Sequence, residues 1–152
     1  MVELKSKLIK ILMFGLSNSR KSSIRLCLLR KTAISNFTSL CPTIDYEIIK
    51  FKELNTNSKF VIWDFGGQKN HRIEHIKNLF DSYISGSQKL IYIIDIQDPQ
   101  NYNLSLDYLN EIIKILTQYN YFIKISVYLH KYDDNIEIQE EEINNLVKRI
   151  KK

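Results

Sequence analysis

The sequence predicts an α/β protein: a mostly parallel sheet with helices packed on it. Three observations carry this. Apolar runs of strand length alternate with segments of helical periodicity along the chain. The first run, Leu8–Phe14, ends in a turn at Gly15 that leads straight into a helical pattern. Leu90-Ile91-Tyr92-Ile93-Ile94 is a continuous apolar run, as expected of a strand covered on both faces.

Each element follows from its pattern. In the first strand, Ile9, Ile11 and Met13 face one way and Leu8, Leu12 and Phe14 the other. A helix over 21–31 places Ile24, Cys27 and Leu28 on one face. Thr32 to Pro42 is polar and reads as a loop. Strands are expected over Ile44–Phe51 and Lys59–Phe65, and the short asparagine-rich link Glu53–Ser58 makes them an antiparallel hairpin. Gly66-Gly67 breaks the chain, and a helix over Ile73–Tyr83 is ended by Ser85-Gly86-Ser87. Tyr108, Leu109, Ile112, Ile113 and Leu116 recur at helical spacing, which predicts a helix over Leu104–Gln118. A strand over Phe122–Leu129 follows. Ile143, Leu146, Val147 and Ile150 form a last amphipathic helix, with Glu140, Glu141 and Glu142 suiting the positive end of its dipole. No repeat or linker divides the chain, so residues 1–152 are expected to form a single domain.

Composition bounds the function classes. At 152 residues with 44% apolar content the chain can bury a real core and is not a disordered segment. The net charge of +5 raises nucleic-acid binding, but the basic residues are scattered among acids and asparagines without a dense block. A solvated surface plus a phosphate site explains the charge more simply, and no nucleic-acid partner is expected. Two cysteines, Cys27 and Cys41, make no disulfide framework, which points to a reducing, cytoplasmic compartment. Every apolar stretch is short and broken by charge, and Met1-Val2-Glu3 lacks the glycine that myristoylation requires, so no membrane anchor is expected.

Three stretches carry chemistry. The first is Gly15-Leu16-Ser17-Asn18-Ser19-Arg20-Lys21-Ser22-Ser23, which follows the G-x-x-x-x-G-K-[ST] phosphate-loop pattern except that Arg20 holds the second glycine's place. Backbone N–H groups of such a turn cradle phosphate oxygens at a helix N-terminus. Lys21 would reach the outer phosphates, and the Ser22 hydroxyl would ligate Mg²⁺. Alone, the pattern is also what a chance lysine-serine pair at a helix start produces. The second stretch is Trp63-Asp64-Phe65-Gly66-Gly67-Gln68. An aspartate ending a strand beside a phosphate loop can hold magnesium through water, and Gly67 lets the backbone approach a terminal phosphate. Gln68 could orient an attacking water; the plainer alternative is a turn-capping aspartate and a solvent-facing glutamine. The third is His130-Lys131-Tyr132-Asp133, where a carboxylate can accept from guanine N1–H and the exocyclic amine, or else cap a polar loop, as could Asp134. His71 and His75 are four apart but lack a third ligand, so no metal other than magnesium is expected.

Taken together and in order, these motifs resemble a small GTPase of the Ras superfamily, nearest the Rag/Gtr branch and then the Arf branch. The W-D-x-G-G-Q form at Trp63–Gln68, His-Lys-x-Asp at 130–133, and Thr43-Ile44-Asp45 after the polar loop carry the likeness, which covers roughly residues 8–133. The resemblance implies a three-layer, Ras-like P-loop NTPase fold and a GTP/GDP switch with switch loops ordered by the γ-phosphate and Mg²⁺. It implies that Gly15 and the backbone of Ser17, Asn18, Ser19, Arg20, Lys21, Ser22 and Ser23 hold phosphates, that Ser22 and Thr43 ligate magnesium, and that Asp64 supports it through water. Gly67 would sense the γ-phosphate, Gln68 would orient water, Lys131 and Asp133 would read guanine, and His130 would brace the phosphate loop. Beyond Ile150 the family has a further strand, a base-binding loop and a fifth helix, so this chain is expected to lack the last strand and helix, as a shortened piece or a natural minimal form. That would leave apolar sheet surface open to a protein partner or a second copy. A slow GTP hydrolase is the expected activity, since no arginine finger in cis is apparent. The alternative is a pseudo-GTPase scaffold with weak or no nucleotide binding.

Overall fold

A computed structural model describes residues 7–28, 43, 45–52, 58–133 and 138–151. The apolar runs form β1 (Leu8–Gly15), β2 (Tyr46–Lys52), β3 (Lys59–Phe65), β4 (Ser87–Asp95) and β5 (Lys124–His130). They make one sheet in the order β2-β3-β1-β4-β5; β3, β1, β4 and β5 run parallel, and edge strand β2 is antiparallel to β3. The helices are α1 (Lys21–Leu28), α2 (Lys69–Asn78), α3 (Tyr102–Gln118) and α4 (Glu140–Ile150). This is the mostly parallel α/β sheet with one antiparallel hairpin strand that the sequence predicts.

Strand periodicity divides the core between the two faces. Leu12, Phe14, Leu90, Tyr92 and Ile94 pack under α3 and α4, joined by Leu109, Ile112, Leu116, Ile143 and Leu146. On the other face Met13, Ile62 and Ile93 form a smaller buried cluster, flanked by Ile11, Ile49, Phe51 and Ile91, with Ile24 of α1 against it. Helices on both faces make three layers. β1 lies in the middle, and the chain leaves it toward β3 on one side and β4 on the other, which opens a crevice at the C-terminal strand ends.

Several boundaries move, each for a physical reason. α2 begins at Lys69, not Ile73, because its first turn, Lys69–Arg72, is polar and lies on the surface, where no apolar period marks it. The helix then closes in a π-helical turn, Leu79–Tyr83. β4 starts at Ser87, directly after Gly86 turns the chain at φ 71°. β5 starts at Lys124, where pairing with Lys89 begins, and leaves Phe122 exposed. In α1 only Ile24 packs on the core; Cys27 and Leu28 are exposed, because the helix turns Lys21 and Ser23 inward instead. Met1–Glu3, residues 29–31, the Thr32–Pro42 loop with Cys41, Ile44, most of the hairpin link (53–57) and Asp134 lie outside the described residues.

His75 fastens α2 to the rest of the molecule. It is the buried residue of a largely polar helix, with its ring edge-on to Phe14, Phe65 and Tyr83. Its Nε2 lies 3.1 Å from Asp45 Oδ1, just before β2. Burial pushes the imidazole below its ordinary value, against the pull of Asp45. The folded state therefore resists a proton that the unfolded chain accepts once the pH falls below about 6.5. Stability from this source is intact above that pH and lost below it. We expect the urea midpoint to decline on acidification from pH 7.5 toward 5 and the decline to flatten in His75→Gln, itself about 0.5–3 kcal/mol less stable at pH 7.5. Equal acid slopes in the two proteins would rule His75 out as the source.

Candidate functional site

The loop after β1 is shaped by close backbone approach. At Gly15, φ is 154° and a Cβ would sit 2.5 Å from the Ile93 carbonyl oxygen on the neighbouring strand, so no side chain fits. Asn18 and Arg20 follow in left-handed conformations, at φ 65° and 58°. Ser19 is buried, and its Oγ donates to the Leu16 carbonyl at 2.9 Å. The carbonyl of Arg20 accepts from Ser23 and Ile24 N–H and so starts α1. No acceptor among the described residues takes the N–H of Asn18, Arg20, Lys21 or Ser22, which leaves donors at a helix N-terminus as an anion site requires.

Lys21 is folded into the loop. Its Nζ donates to the Gly15 and Leu16 carbonyls at 3.0 and 2.8 Å and reaches Ser19 Oγ at 3.4 Å. Burial pulls its pKa down to about 8, partly offset by Asp64. A buried cation at the mouth of the loop is best satisfied by an anion.

Three oxygen side chains from three separate segments meet beside it. Ser22 Oγ lies 3.0 Å from Thr43 Oγ1 and donates to Asp64 Oδ2 at 3.1 Å. Asp64 is fully buried at the end of β3, and its Oδ1 has no hydrogen-bond partner among the described residues. Desolvation raises its carboxyl above the ordinary range, while Lys21, Arg25 and the Ser22 bond pull it back. Two hydroxyls and an under-satisfied carboxylate are a hard-oxygen donor set of the kind Mg²⁺ takes, so the residues present fit the ion. Among the described residues there is no cluster of three His, Cys, Asp or Glu side chains that could hold a softer metal.

Gly66 and Gly67 press onto this centre. A Cβ on Gly66 would lie 2.5 Å from the Thr43 carbonyl, and one on Gly67 would overlap the Leu16 and Ser17 backbone. Ser17 N–H donates to the Gly67 carbonyl at 3.2 Å. Gln68, at the N-cap of α2, is exposed, and its side chain makes no capping bond.

The third motif sits across the crevice at the ends of β4 and β5. Lys131, at φ 64°, pairs with Asp95, and the exposed Asp133 accepts from Gln97 Nε2 at 3.1 Å. His130 is partly buried and pushed below its ordinary value by desolvation; its Nδ1 has no partner among the described residues, and its ring makes no hydrogen bond to residues 15–23.

The sequence reading passed over Arg25, Asp95 and Gln97. Arg25 pairs with Glu47 of β2 and stands 3.8 Å from Asp64 Oδ2, putting a fixed cation behind the oxygen cluster. Asp95 had a signal, as the polar residue ending a buried strand. Gln97 had none.

The Gtr1/RagA G protein conserved region matches residues 10–152 of the chain. Over 149 residues the chain is 27% identical to ADP-ribosylation factor-like protein alp41 of Schizosaccharomyces pombe, covering 95% of this chain and 71% of that protein. Among the described residues, no helix is long and apolar enough to cross a membrane. With the phosphate-type loop, the oxygen cluster and a family match across nearly the whole chain, the protein belongs to the Gtr1/RagA G-protein family and is a GTP-binding small GTPase.

Proposed function

We propose that the chain is a molecular switch that binds GTP or GDP together with Mg²⁺, hydrolyses GTP slowly, and signals to partner proteins through the segments around Thr43 and Gly66–Gln68. The convergence of Ser22, Thr43 and Asp64 carries this reading: it links the loop that would hold phosphate to both segments that would report on it. Bound there, Mg²⁺ would neutralise charge on the phosphate oxygens. Lys21 and the open N–H groups of the loop would hold the outer phosphates. Gly67 is close enough to the loop for its backbone to meet the last of them. Gln68 would orient the attacking water. Lys131 and Asp133 would take the guanine base. Partner contact we assign to the same two segments and to the second sheet face, where Ile9, Ile11, Ile91 and Tyr128 stay partly open among the described residues.

The direct test is chromatography of nucleotide extracted from the purified protein, followed by single-turnover hydrolysis. Bound GDP or GTP that is released by chelating magnesium is the expected result; protein carrying none, and taking none up, would overturn the reading. Gln68→Leu should slow hydrolysis by roughly 10-fold or more while GTP affinity stays nearly constant, because the side chain acts in the transition state. Unchanged hydrolysis would remove Gln68 from the mechanism.

Arg20 favours a second reading, a scaffold that binds nucleotide poorly. A side chain in a left-handed conformation costs on the order of 1–3 kcal/mol. If the strain is confined to the nucleotide-bound state, it weakens binding roughly 5–150-fold. Arg20→Gly should then tighten GDP binding, chiefly by slowing release of a fluorescent GDP analogue. Weaker binding in the variant would make Arg20 a ligand-holding residue, and no binding by either protein would establish the scaffold.

A further inference from the structure

The carboxylate of Asp133 can read a guanine only if its plane is held. Two donors on the base edge must meet two oxygens at once, yet an aspartate carboxylate turns broadly about its last torsion. Asp133 is exposed, and Lys131 two residues earlier is a flexible cation that would draw it aside. The structure separates the two. Lys131 Nζ is taken by Asp95 Oδ2 at the end of β4. The opposite oxygen, Asp95 Oδ1, accepts the backbone N–H of Gln97 at 3.0 Å. Gln97 thus stands at a fixed place, and its side-chain amide reaches over to the neighbouring loop. Its Nε2 donates to the Lys131 carbonyl at 2.9 Å and to Asp133 Oδ2 at 3.1 Å. Both partners are acceptors, so the amide nitrogen must face them. Ile96 N–H also donates to the His130 carbonyl at 3.1 Å, so residues 95–97 run bonded alongside 130–133.

We propose that Gln97 is a positioning residue for base selectivity: its amide locks the plane of the Asp133 carboxylate so that both oxygens present to the base edge together. This rests on the guanine-nucleotide reading above. Gln97 occupies one acceptor site on Oδ2, and a carboxylate offers about four, so Oδ1 and the remainder of Oδ2 stay available to the base. A base with two donors on this edge needs the plane fixed; a base with one donor does not. Gln97 therefore acts on discrimination between bases more than on phosphate binding, which happens across the crevice.

Inosine diphosphate supplies the comparison, since it keeps the ring N–H and lacks the exocyclic amine. Affinities of the full chain for GDP and IDP are measured by displacement of a fluorescent GDP analogue with magnesium present. In Gln97→Leu, which keeps the shape and loses the donor, the preference for GDP over IDP should shrink roughly 3–10-fold, chiefly through weaker GDP binding. Gln97→Glu, of the same shape with an acceptor set against Asp133, should reduce it at least as much. Melting temperatures close to the parent's would separate this from unfolding, as expected for an exposed side chain. A GDP-to-IDP preference unchanged in both variants, or GDP and IDP weakened equally, overturns the positioning role. A parent protein that fails to prefer GDP over ADP overturns the guanine reading itself, a result distinct from either.

Discussion

Everything at the site depends on the register in which β1 pairs with its two parallel neighbours. Met13 lies opposite Asp64 and Gly15 opposite Ile93. The first pairing puts the carboxylate on the sheet face that α1 covers, within reach of Ser22 at the start of that helix. The second brings the turn so close to β4 that only glycine fits. Slipping β3 by one residue would swing Asp64 to the opposite face, into the cluster of Phe14, Tyr83 and His75. The large apolar content of β1, β3 and β4 forbids that slip, so the core sets the geometry of Lys21, Ser22 and Asp64.

The site concentrates charge where the fold would otherwise exclude it. Lys21 and Asp64 are both buried, and Arg25 with its partner Glu47 stands just behind. Such groups are costly unless paired, and each is paired only in part: Lys21 rests on neutral carbonyls, and one oxygen of Asp64 has no partner among the described residues. A phosphate and a divalent cation would complete both sets at once.

The sequence made legible what is local or periodic. The sequence of elements along the chain, the hairpin, and the loops at Gly15–Ser23, Asp64–Gln68 and His130–Asp133 could all be read because each is a short run with its own chemistry. The start of α2 was not, because a polar helical turn and a polar loop look alike without burial. The role of Gln97 was beyond reach for a different reason. Its bond to Asp133 spans 36 residues of chain, and no period or spacing links such a pair until parallel pairing of β4 and β5 lays their ends side by side. Cys27 shows the opposite failure: a helical pattern placed it on the apolar face, but the first turn of α1 follows the loop's demands on Lys21 and Ser23.

The π-helical turn at Leu79–Tyr83 makes α2 a lever with its fulcrum at one end. Leu79, Tyr83 and Ile84 are sunk in the core, while the ten residues ahead of them are held mainly by the buried imidazole of His75, with Ile76 packing against the core and Arg72 over the Tyr108 ring. At about 1.5 Å per residue the arm from Leu79 to Gln68 is roughly 16 Å long. A tilt of only about 10° at the fulcrum therefore carries the Gln68 backbone nearly ~3 Å, about the length of a hydrogen bond. His75 sits near the middle of that arm, tied to Asp45, so the same tilt must pull on the segment that carries Thr43.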